Sequence, residues 1–84
     1  PEKGKSYFKN SEIFIAASIT GSSIQSGKVF LNSSYIGEID PVGGFYSFIP
    51  ENEKASKNGK NIVEIKIIDT KGDVYKDSVL FSIN

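Results

Sequence analysis

The chain has 84 residues, with ten basic and ten acidic side chains balancing to a net charge of zero. These charges are scattered, which excludes the basic face that nucleic-acid binding needs. With no cysteine and no histidine, neither Ser-His-Asp and Cys-His mechanisms nor zinc sites on nitrogen and sulfur ligands can be assembled. No run approaches the roughly 18 consecutive apolar residues of a membrane-spanning helix, so no membrane insertion is expected. A chain of this length buries only about 60% of the surface it exposes when unfolded, enough for one small domain, residues 1–84. The start at Pro1, without an initiator methionine, suggests a piece of a larger multidomain protein.

The apolar pattern has a period of two, and turn residues punctuate it. Residues 7–8 make a weak first strand. Residues 12–19 (EIFIAASI) form a second, with Ile13, Ile15, Ala17 and Ile19 on one face and Phe14, Ala16 and Ser18 on the other. Residues 28–32 form a third, ending in the tight turn Asn32-Ser33-Ser34, and residues 35–39 a short fourth. In Asp40-Pro41-Val42-Gly43-Gly44, Pro fixes φ and Gly supplies positive φ, the chemistry of a turn. Residues 45–49 (FYSFI) form a fifth strand that stops at Pro50. The polar stretch 51–60 is a loop with at most one helical turn, around residues 52–56. Residues 61–68 form a sixth strand with Val63, Ile65 and Ile67 on one face, and residues 74–83 a seventh with Val79, Phe81 and Ile83 on one face. Seven short strands at this spacing predict an all-β fold, a sandwich of two antiparallel sheets.

The stretch 69–73 (DTKGD) has two readings. As a calcium loop, Asp69, Asp73 and Asp77 would supply carboxylates to an ion that wants six to eight oxygens. As a hairpin connection, Asp69 would accept hydrogen bonds from N–H groups two or three residues on, while Gly72 takes positive φ. The lysines at 71 and 76 and the absence of an EF-hand pattern favour the turn, so neither metal nor cofactor is expected. Asp69 and Asp73 are also the nearest the chain comes to a paired-carboxylate catalytic site, and an enzyme is not expected. Asn32-Ser33-Ser34 fits an N-glycosylation acceptor, but a turn-forming Asn32 accounts for it.

Three segments carry a family resemblance: Lys28-Val29-Phe30-Leu31-Asn32 followed by Tyr35-Ile36-Gly37; Gly43-Gly44-Phe45-Tyr46-Ser47-Phe48-Ile49-Pro50; and the run GKNIVEIKIIDTKGD at 59–73. Together they resemble the bacterial immunoglobulin-like domains of secreted and cell-surface multidomain proteins. The pattern departs from the family's at Ser33 (usually Gly), at Asp73 (usually Asn) and in the long loop 51–60. The resemblance implies an immunoglobulin-like β-sandwich of about seven strands, located outside the bacterial cytoplasm, that serves as a structural spacer or accessory module. Its implied partners are neighbouring domains of the same polypeptide; the alternative is a ligand-binding or adhesion module contacting a glycan or a protein.

In the family's register Phe14, Tyr46 and Phe48 lie together on the outer face of one sheet, a candidate interaction patch. A one-residue slip inverts every side chain, and the opposite register makes Tyr46 and Phe48 core. The sequence leaves both registers open.

Overall fold

A computed structural model describes residues 1–84, all of the chain. Seven strands follow in order: β1 (Ser6–Tyr7), β2 (Ile13–Ala16), β3 (Ile24–Leu31), β4 (Ser34–Glu38), β5 (Phe45–Phe48), β6 (Gly59–Asp69) and β7 (Val74–Ile83). A 3-10 turn at Pro50–Asn52 follows β5, two residues earlier than the sequence suggested, because Pro50 presets its φ at the first position.

Five strands form one sheet in the order β1-β7-β6-β3-β4, and β2 pairs with β5 in a second. Every pairing is antiparallel except that of β1 with β7. The fold is therefore the all-β, two-sheet sandwich that the strand spacing predicted, in the immunoglobulin-like form that the resemblance implied. The seventh strand matches its predicted bounds. The third begins four residues early, because Ile24 to Gly27 pair with β6 despite their weak alternation.

The two sheets meet over an apolar core. Ile13, Ile15 and Phe48 from the small sheet face Val29, Leu31, Val63, Ile67, Phe81 and Ile83 from the large one, and Ile39 closes the layer. Fully burying side chains of this size stabilises by about 1.5–3 kcal/mol each. Tyr7 packs edge-on against Phe81 with ring centroids 6.0 Å apart, which fastens β1 to the sheet margin.

The β3–β4 hairpin turns on Asn32 and Ser33, with φ of 50° and 72°. Positive φ at both central residues is the type I′ geometry whose twist suits a two-residue hairpin. The 40–44 stretch carries the chain from the large sheet to the small one. There the Asp40 carbonyl accepts from Gly44 N–H at 2.7 Å and its Oδ1 accepts from Val42 N–H at 3.0 Å. That local bonding supports the reading of 40–44 as a connection.

Candidate functional site

The inward face of β6 reads Asn61, Val63, Ile65, Ile67, Asp69. Its two ends are polar and both are buried, Asn61 at 1% and Asp69 at 0% exposure. Buried polar groups are costly unless hydrogen-bonded, so their partners show what they do.

Asp69 uses both carboxylate oxygens. Oδ1 accepts from the N–H groups of Lys71 at 3.0 Å and Asp73 at 2.8 Å. Oδ2 accepts from the hydroxyl of Ser22 at 2.7 Å and of Tyr75 at 3.3 Å. Gly72 has φ of +87°, and Thr70 N–H donates to the Ser23 carbonyl at 2.9 Å. The hairpin reading of 69–73 is thus the observed geometry. The same carboxylate ties the β6–β7 turn to the β2–β3 loop. The Ser22 hydroxyl, more than any other group, holds the Asp69 carboxyl below the ordinary carboxylate range; burial opposes it, and the Asp73 and Lys71 amides and Tyr75 assist. The Asp69 charge in turn pushes the Tyr75 phenol up. A general acid needs a raised carboxyl pKa, so Asp69 is tuned the opposite way.

Asn61 anchors the other end. Its Oδ1 accepts from Asn32 Nδ2 at 2.8 Å and from Lys57 N–H at 3.1 Å. Its Nδ2 donates to the carbonyls of Lys57 at 2.7 Å and Gly59 at 2.9 Å. Asn32 also donates to Ala55 O at 2.7 Å and accepts from Ile62 N–H at 2.9 Å. The two asparagines thus lock the 53–59 loop and the β3–β4 turn onto the start of β6. Asn32 is occupied as a turn residue, as its place in Asn32-Ser33-Ser34 suggested. The pairing with Asn61 was not anticipated, although a polar residue on the apolar stripe of β6 was the available signal.

The proposed patch of Phe14, Tyr46 and Phe48 requires correction. In the β2–β5 ladder Ile13 stands opposite Phe48 and Ile15 opposite Tyr46. Cross-strand partners share a face, so both aromatics join the core isoleucines. Phe48 is buried, and Tyr46 is half-buried with its hydroxyl donating to the Ile36 carbonyl at 3.0 Å. Phe14 alone of the three points outward. The outer face of this sheet is Phe14, Ala16, Phe45 and Ser47, and Phe14 and Phe45 are 59% and 50% exposed. The large sheet also shows apolar side chains outward: Leu80 stands opposite Ile62, and Tyr35 packs edge-on against Phe30.

These features define a class: an immunoglobulin-like β-sandwich whose buried polar side chains serve its loops. No protein-family model matches the sequence, and no curated protein does. Among solved structures the chain is similar to the fibronectin(III)-like modules of Clostridium thermocellum CbhA, with a TM-score of 0.71 and 16% identity over 100% of this chain and 91% of that one. It is also similar to part of the endo-beta-1,4-mannanase of Thermotoga petrophila, with a TM-score of 0.72 and 13% identity. That match takes in 100% of this chain but 18% of the mannanase. At these identities the likeness is one of fold.

Proposed function

We propose that the chain is a non-catalytic bacterial immunoglobulin-like module that acts as a spacer or accessory domain within a larger secreted or cell-surface polypeptide. The observation that carries this reading is the use of Asp69, Asn61 and Asn32. Every oxygen and nitrogen of these side chains is spent on the protein's own loops and strands. What remains for the outside is a two-sheet sandwich with its loops tied to its strands, suited to holding neighbouring domains at a fixed spacing. The likeness to fibronectin(III)-like modules over the whole chain supports the reading, as does the match to a minor part of a glycan-degrading enzyme. Its partners are then the adjoining domains of the same polypeptide.

A second reading, a module that contacts a protein or glycan, draws on the outward Phe14 and Phe45 and on the Phe30, Tyr35, Ile62 and Leu80 face, since contiguous exposed apolar patches mark interaction surfaces. Deletion of residues 1–84 from the parent polypeptide separates the two. The spacer reading expects activity on soluble substrate to persist while the adjoining domains melt at lower temperature. Loss of ligand or surface binding with unchanged melting would support the second reading and overturn the first.

A further inference from the structure

Strand β4 is an outer edge of the five-stranded sheet. Which of its backbone groups face outward follows from one bond. Ile39 N–H donates to the Gly27 carbonyl at 2.8 Å, so 27 and 39 are a hydrogen-bonded pair. Such pairs alternate along an antiparallel ladder. Val29 and Leu31 therefore bond towards β4, where Gly37 and Ser34 stand opposite them. The N–H and C=O groups left facing outward are those of Tyr35 and Glu38. An edge of this kind is a template for another strand, including the same edge of a second copy.

This edge is interrupted. Between Phe30 and Val29 the ladder steps one residue along β3 but two along β4, from Tyr35 to Gly37. Ile36 is the extra residue of a β-bulge. The bulge changes the spacing of the edge. In a straight strand the outward residues are two apart, whereas Tyr35 and Glu38 are three apart. A straight incoming strand offers its bonding groups at every second residue, so it cannot engage both.

The bulge is held from the other sheet. Tyr46 of β5 crosses to it, and its hydroxyl donates to the Ile36 carbonyl at 3.0 Å. That bond occupies the carbonyl of the extra residue. Tyr46 is itself positioned twice. It stands opposite Ile15 in the β2–β5 ladder, and its ring stacks on Phe48 with centroids 6.3 Å apart. Gly37 makes room for it. A Cβ at Gly37 would lie 2.6 Å from the Tyr46 hydroxyl oxygen, so a side chain there would push the phenol off the bulge.

We propose that the Ile36 bulge, pinned by Tyr46 and admitted by Gly37, closes the β4 edge to strand addition and keeps copies of this chain from pairing edge to edge. An unbulged β4 would join its symmetry mate in a two-fold antiparallel pair and fuse two five-stranded sheets into one. Tyr46 then has two tasks, one between the sheets and one at the edge.

The test is sedimentation equilibrium of the 84-residue chain up to millimolar concentration, with circular dichroism to confirm folding. The wild type should remain monomeric. Deletion of Ile36 leaves Tyr35 opposite Phe30 and Gly37 opposite Val29, and brings the outward residues to a spacing of two. That variant should be dimeric at one tenth of the highest concentration. Adding Glu38→Pro to the deletion removes an outward N–H that β3 does not use, and should weaken the dimer at least tenfold. Tyr46→Phe keeps the ring and removes only the bond to the bulge, so dimer should form at the highest concentration. A folded deletion variant that stays monomeric would overturn the proposal, as would a dimer that the proline leaves intact or a wild-type dimer that Glu38→Pro breaks. A Tyr46→Phe variant that stays monomeric throughout would overturn the role given to Tyr46, and it decides alone if the deletion variant does not fold.

Discussion

Replacing Asn61 by Ala should remove a large part of the stability of this domain. The side chain is 1% exposed and makes four hydrogen bonds, two as acceptor and two as donor. A net contribution of about 0.5–1.5 kcal/mol per bond gives about 2–6 kcal/mol. Lys57 and Gly59 are exposed, so water can recover part of what their backbone groups lose, and Asn32 keeps its bond to Ala55. The expected cost is therefore in the lower half of that range, about 2–4 kcal/mol. At about 0.05–0.15 kcal/mol per residue, the whole domain is stable by only about 4–13 kcal/mol. Urea unfolding followed by circular dichroism measures the loss, and calorimetry should show a melting temperature lower by about 10–25 °C. A double-mutant cycle with Asn32→Gly, which keeps the positive φ that the turn requires, isolates the contact between the two asparagines. The coupling should be about 0.5–2 kcal/mol. A loss below about 1 kcal/mol, or additivity within about 0.5 kcal/mol, would show that the two side chains do not work as one lock.

Three further substitutions test other parts of the structure. Phe48→Ala should cost about 3–5 kcal/mol, whereas Phe45→Ala, three residues away on the outer face, should cost less than about 1 kcal/mol; reversed values in urea unfolding would restore the register in which Phe48 points out. Ser33→Gly should raise stability by about 0.5–1 kcal/mol, because a non-glycine residue at φ of 72° carries left-handed strain; an unchanged unfolding midpoint would mean that Ser33 is unstrained. Asp69→Asn addresses the pH dependence. The folded carboxyl titrates below its unfolded value of about 3.9, so its stabilisation is complete above that value and is lost as pH falls through it towards the lower folded value. Urea midpoints measured from pH 6 to pH 2 should fall more steeply for the wild type than for Asp69→Asn, and parallel curves would remove Asp69 from the acid response.

The fold was legible because alternation survives in the strands that build the core. Val63 and Ile67, and Phe81 and Ile83, share inward faces in the sequence and in the structure. The Asp69 turn was legible for a different reason: an aspartate followed three residues later by glycine specifies its own local bonds. The register of β5 was not legible. FYSFI is apolar on both faces, so either parity buries an aromatic, and the choice is made by the pairing of Phe48 with Ile13 and Tyr46 with Ile15. The Asn32–Asn61 lock was hidden because the two residues lie 29 positions apart and meet only when β3 pairs with β6. The joining of β1 to β7 was hidden as well, because two residues of weak strand character could not announce it.

The central claim is that the polar clusters around Asp69 and Asn61 serve the fold and bind no outside ligand. Thermal melting of the 84-residue chain against Ca²⁺ and a panel of oligosaccharides tests it most directly. A ligand present at 100 times its Kd adds about 2.7 kcal/mol to the folded state, a rise of roughly 10–20 °C for a domain of this size. The account predicts a melting temperature constant to within about 1 °C across the panel. A saturable rise with Ca²⁺ that Asp69→Asn abolishes, or with any oligosaccharide, would contradict it.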